Sequence, residues 1–117
     1  MSIKPGNYDF TIYQGATFSR VLTWKDASNA LINVTGYTGR LQIRTSPDAP
    51  SAFVNLTTEN GGITLGGALG TITLLITASQ TSLIAEASGV YDLEMISGSV
   101  VTRLLQGNVD VSREVSK

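Results

Sequence analysis

The sequence contains no cysteine and no histidine. Disulfides are thereby excluded. So are Cys/His zinc sites, haem ligation by His or Cys, cysteine nucleophiles and Ser–His–Asp triads. Charge is also scarce: Asp, Glu, Lys and Arg make up 15% of the 117 residues, against about 25% in an ordinary soluble domain. The net charge is −1, and the basic residues nowhere form a run. That leaves no electrostatic footprint for nucleic acid or for an anionic membrane surface. No segment approaches the ~20 apolar residues of a membrane-spanning helix. Met1 to Asp9 lacks the apolar core of a signal peptide, so synthesis in a cytoplasm is expected.

What is present is apolar and β-prone. Apolar residues make up 42% of the chain, accompanied by many Thr, Ser, Gly and Val residues that suit half-buried strands. The length fits a single domain over residues 1–117, able to bury roughly 65% of its unfolded surface without metal or disulfide. Turn residues recur about every 10 positions, the spacing of a sandwich or barrel. Tyr8 to Tyr13 reads as a strand with Tyr8, Phe10 and Ile12 on one face. Thr17 to Lys25 places Phe18, Leu22 and Trp24 together, with Arg20 on the same face near an edge or reaching water past its stem. Tyr37 to Thr45 turns Leu41 and Ile43 inward and Arg40, Gln42 and Arg44 outward. Phe53 to Thr58 is another strand, and Asn60-Gly61-Gly62 a tight turn. Gly70 to Thr77 is nearly all apolar or Thr, as in a central strand buried on both faces. Ala78 to Ala87 is the one helical stretch, with Ser79 as its cap and Leu83 and Ile84 on the core. Gly89 to Ser97 carries Tyr91, Leu93 and Met95 inward. After the turn at Ser97-Gly98-Ser99, Val100 to Val111 holds two adjacent leucines, Leu104 and Leu105, whose facing a bulge at Gly107 would reset. The pattern predicts an all-β antiparallel sandwich of about eight strands with one short helical turn.

Candidate sites resolve into structural roles. Asp92 and Glu94 share one strand face about 7 Å apart. Paired carboxylates can serve glycosidases, but a solvated face paired with Arg103 or Arg44 accounts for them. Asp9, Asp26, Asp48 and Glu59 sit near turns and match no calcium loop. The glycine-rich stretch Gly61 to Gly70 lacks the Lys-Ser/Thr end of a phosphate loop. Asn33 and Asn55 fit the glycosylation sequon, which carries weight only with a secretion signal. Trp24 with Tyr8, Tyr13, Tyr37 and Phe18 could form a sugar platform. Alternation instead sends Trp24 and Phe18 into the core, worth roughly 1.5–3 kcal/mol each. No catalytic residue, cofactor-binding residue, metal site or cofactor is expected, and the chain reads as a non-enzyme.

Three segments carry a resemblance. They are Tyr13-Gln14-Gly15-Ala16-Thr17-Phe18 with Leu22-Thr23-Trp24-Lys25-Asp26, then Leu31 to Arg44 through Asn33-Val34-Thr35-Gly36-Tyr37, then Ala87-Ser88-Gly89-Val90-Tyr91-Asp92-Leu93-Glu94. Together they resemble tailed-phage virion proteins with an immunoglobulin-like domain, similar to the N-terminal domain of siphophage upper baseplate proteins. Asn33-Val34 stands where that family usually has Asp-Leu. The resemblance implies an immunoglobulin-like β-sandwich and a structural protein of the virion, in the tail, the baseplate or a fibre attachment. Its partners would be other phage virion proteins, with multiple symmetric copies and neither nucleic acid nor membrane. Alternative readings are a capsid decoration protein and a carbohydrate-binding module; the last predicts an exposed aromatic pair at a sandwich end, including Tyr8, Tyr13 or Tyr37. The polar ends, Met1 to Gly6 and Arg113 to Lys117, are expected to reach neighbouring subunits.

Overall fold

The computed structural model describes residues 2–3 and 6–116, with side chains from residue 6 onward. Met1, Lys4, Pro5 and Lys117 lie outside the described residues. Among the described residues ten strands form: β1 (Ser2–Ile3), β2 (Gly6–Asn7), β3 (Phe10–Tyr13), β4 (Phe18–Trp24), β5 (Thr38–Arg44), β6 (Val54–Thr57), β7 (Ile63–Leu65), β8 (Thr71–Ile76), β9 (Ser88–Ser97) and β10 (Val100–Ser112). A 3-10 turn, Gly67–Leu69, joins β7 to β8, and the helix α1 (Ala78–Ser82) joins β8 to β9.

Two sheets face each other. The smaller runs β1-β4-β8-β7; the larger runs β2-β10-β9-β5-β6, with β3 also on β10. Period-two alternation fills the space between them. Leu22 and Trp24 of β4 and Ile72, Leu74 and Ile76 of β8 meet Leu41 and Ile43 of β5 and Leu93 and Met95 of β9, all in one buried cluster. The expected all-β sandwich is therefore the observed fold. Arg20 shares the inward face of β4 and lays its guanidinium 4.5 Å from the centre of the Phe18 ring, a cation–π contact that keeps the charged head off the apolar core.

Five details differ from the sequence reading. First, the polar start is not a free tail. β1 pairs with β4, and β2 and β3 pair with β10, all in parallel, so the antiparallel sandwich acquires parallel edges. β1 and β2, of two residues each, are too short to show alternation. Second, β8 is central in its sheet but buried on one face only: Ile72, Leu74 and Ile76 face in, while Leu75 is exposed. On the outer face Thr71 and Thr73 are half-buried and Leu75 exposed, and this Thr and Leu pattern mimics a doubly buried run. Third, α1 is capped by Thr77, not Ser79. Its hydroxyl accepts from Gln80 N, and Gln80 Oε1 accepts from Thr77 N, a reciprocal capping box.

Fourth, Leu83 does not reach the core: it is 83% exposed while Ile84 is buried. A helix this short ends before two successive residues can share a face. Fifth, the bulge lies at Leu104. The register passes from Arg103 opposite Glu94 to Leu105 opposite Leu93, leaving Leu104 as the extra residue. Both leucines are thereby buried. Gly107 meets a different need. A Cβ there would overlap the Tyr8 carbonyl, so glycine lets the chain before β3 lie against β10.

Candidate interaction surface

The outward residues of the larger sheet make one polar face. Arg40, Gln42 and Arg44 come from β5, Asp92 and Glu94 from β9, and Arg103, Gln106 and Asn108 from β10. They line an open groove of about 600 Å³. Arg40 Nε lies 2.6 Å from Glu94 Oε1, and Arg103 Nε lies 3.6 Å from Asp92 Oδ2. The expected Arg103 pairing is present. Arg40 takes the place foreseen for Arg44, because the antiparallel register sets Arg40 opposite Glu94 and Arg44 opposite Val90. Arg44 instead donates to Ala49 O at 2.8 Å and to Gln42 Oε1 at 2.9 Å. Each pair is at least partly solvated and worth at most about 1 kcal/mol. The face therefore contributes little to stability, and its ordered charges of both signs suit a protein partner of complementary pattern.

The other candidates are dispersed. Asp9 Oδ1 accepts from Asn108 N at 2.9 Å. Asp26 Oδ1 accepts from Ser28 N and Ala30 N inside its turn. Glu59 accepts from the Thr58 hydroxyl, and Asp48 lies in the loop between β5 and β6. Among the described residues no three acidic side chains gather at one point. The stretch Gly61 to Gly70 forms turns on either side of β7. Asn33 Oδ1 accepts from Thr35 N in a turn, and Asn55 Oδ1 accepts from Gln42 Nε2 on the sheet. Of the aromatics, Trp24 is buried with Tyr37 edge-on at 5.7 Å, and Tyr8 rests on Phe10 at 5.1 Å. Tyr13 is 59% exposed. Tyr8 and Tyr37 thus each rest on a buried ring, and Tyr13 is the most exposed of the three.

Two corners hold the face in place. At the first, Gly89 admits β9 against Arg44, where a Cβ would crowd the backbone. Two residues on, the buried Tyr91 donates its hydroxyl to Tyr8 O at 2.5 Å. Burial chiefly, then the negative charge of Asp9 and the neighbouring Tyr8, push the Tyr91 phenol well above its ordinary value. A phenol whose pKa is raised in the fold must stay protonated while the unfolded chain ionises. Stability from this group is therefore intact below about pH 10 and lost as pH rises further. Tyr91→Phe should cost about 1 kcal/mol at neutral pH through the lost bond. It should also flatten the fall in stability above pH 10, as followed by urea unfolding at stepped pH. An unchanged alkaline slope in the variant would contradict this assignment.

The second corner was not foreseen in full. Gly15, at φ +85°, makes the turn between β3 and β4, and its N–H donates to the Thr81 hydroxyl at 3.0 Å. That hydroxyl donates in turn to Ala16 O at 2.9 Å. Gln14 Nε2 donates to Ile84 O, and Gln14 Oε1 accepts from Glu114 N. One glutamine thus ties the end of α1 to the segment after β10, and the carboxy-terminal stretch is anchored at Glu114. The Gln14-Gly15 pair was visible as a motif. Thr81, fully buried, looked like any helix threonine.

These two sheets define an immunoglobulin-like β-sandwich: four strands oppose a larger sheet carrying an extra edge strand, β6, as in variable-type domains. No family model matches the chain, and no curated protein matches it by sequence. Among solved structures, the N-terminal domain of phage TP901-1 ORF48 is similar with a TM-score of 0.52 at 10% identity, over 95% of this chain and 94% of that one. NK cell receptor Nkp44, a triggering partner in natural cytotoxicity, is similar with a TM-score of 0.53 at 16% identity, over 93% of this chain and 99% of that one. At such identities the likeness is one of fold.

Proposed function

We propose that this chain is a structural protein of a tailed-phage particle. In this reading it is an adaptor in the tail, at the baseplate or a fibre attachment, present in several symmetric copies. It works by fixed contacts with other virion proteins and performs no chemistry of its own. The observation that supports the reading most is the correspondence, nearly end to end, with a phage protein's domain. The segments that resemble phage virion proteins also build both corners: Gln14-Gly15 at one, Gly89 and Tyr91 at the other. The outer face of the larger sheet is the surface assigned to the partner. Its groove is polar, open and ordered by cross-strand pairs, as fits an interface of matched charges.

Reversing charge on that face tests the assignment. Arg40 and Arg103 are half-exposed, so Arg40→Glu with Arg103→Glu should leave the fold intact, at a cost of about 1 kcal/mol per lost pair and up to about 1 kcal/mol more for each new like-charge pair with Glu94 and Asp92. Incorporation of the folded variant into particles, followed by immunoblot of purified virions, should fall sharply. Wild-type incorporation of the double variant would remove this face from the interface.

A further inference from the structure

The larger sheet ends at β6, and among the described residues no strand pairs with its far side. Thr58 N donates to Gly39 O at 3.2 Å. Antiparallel alternation then turns the backbone groups of Val54 and Leu56 toward β5 and those of Asn55 and Thr57 away from it. Those outward groups are what an added strand would bond.

The Asn60 side chain already occupies two of these four groups. Its Oδ1 accepts from Thr57 N at 2.9 Å, and its Nδ2 donates to Asn55 O at 2.9 Å. The C=O of one residue and the N–H two residues on are the pair that a single residue of a parallel neighbour engages with its own N–H and C=O. The carboxamide therefore stands in for one residue of a missing strand. It is held there from both sides: Asn60 N donates to the Thr57 hydroxyl at 2.9 Å, and Gly62 N donates to Asn60 Oδ1 at 2.9 Å. Gly61, at φ +81°, turns the chain so that Gly62 N meets that amide.

We propose that Asn60 is a plug that closes the β6 edge against strand addition by a second copy of this chain. Val54 to Thr57 bears no charge, so two β6 edges meeting antiparallel across a two-fold axis set no like charges opposite each other. What meets the outward Thr57 N–H and Asn55 C=O, among the described residues, is the Asn60 carboxamide, so it stands in the way of such pairing. The plug rests on hydrogen bonds alone and holds whether or not the chain belongs to a virion.

The test uses the full purified chain in size-exclusion chromatography with light scattering over a concentration series. Asn60→Ala should double the mass relative to wild type as concentration rises. Asn60→Ala with Thr57→Pro, which deletes the outward N–H, should return to the wild-type mass and so separate edge pairing from misfolding. A folded Asn60→Ala that keeps the wild-type mass throughout would overturn the proposal. Should that variant not fold, hydrogen exchange on the wild type decides: the Thr57 amide is expected to exchange far more slowly than in an unstructured chain, and exchange at the unstructured rate would overturn the proposal equally.

Discussion

Leu104→Ala and Leu105→Ala will each lower stability by about 2–5 kcal/mol, the range for truncating a leucine in a packed core. On a regular strand two neighbours face opposite ways, and only one of the two substitutions would be costly. Here the bulge sets both side chains between the sheets, at 0% and 2% exposure. Leu105 stands opposite Leu93, while Leu104 has no partner of its own on β9. Each truncation therefore opens a void in the same cluster. Val101, 51% exposed on the same strand, serves as the control, and its change to alanine should stay within about 0.5 kcal/mol. Urea unfolding with an unchanged slope measures all three. A cheap Leu104→Ala beside a costly Leu105→Ala would mean that the bulge is elsewhere and that the carboxy-terminal half of β10 faces differently.

Thr81→Val keeps the side chain's shape and removes its hydroxyl. Gly15 N–H loses its acceptor and Ala16 C=O loses a donor, in a place the threonine fills completely. Gly15 is half-buried and Ala16 exposed, so losing these bonds costs about 0.5–1.5 kcal/mol. Thr81→Ser, which keeps the hydroxyl, should recover most of the loss. The damage should be local as well: hydrogen exchange at Gly15, and at Glu114 across the Gln14 bridge, should accelerate before the amides of β5 and β9 change. Equal stability of the valine and serine variants would show that the hydroxyl network does not hold the corner.

The parts of this fold that were legible are those where one strand carries its own information. Leu41 and Ile43, and Tyr91, Leu93 and Met95, alternate because one face of each strand is buried, and that period is written in the sequence. The polar face was legible for the same reason. Which arginine meets which carboxylate was not, because that depends on the register between β5 and β9, and a single strand is silent about its neighbour's offset. Leu104-Leu105 announced an irregularity, yet Gly107 drew the bulge to itself by its residue type. The partner strand decides the position, and Gly107 answers to the approach of Tyr8 instead. Asn60-Gly61 was readable as a turn. The return of the Asn60 amide to Asn55 and Thr57 is a three-dimensional closure with no periodic trace. Thr81 was missed because a buried hydroxyl and an exposed one look alike until the corner it bonds has been built.

The central proposal, a structural protein of a phage particle, meets its most direct test in quantitative mass spectrometry of purified particles, with this chain's copy number set against that of the major capsid protein. The proposal predicts that the chain co-purifies with intact particles at far fewer copies than the capsid protein, as a tail component would. A copy number comparable to the capsid protein would move it to the head as a decoration protein. Its absence from particles, with all of the protein left in the soluble fraction, would contradict the proposal.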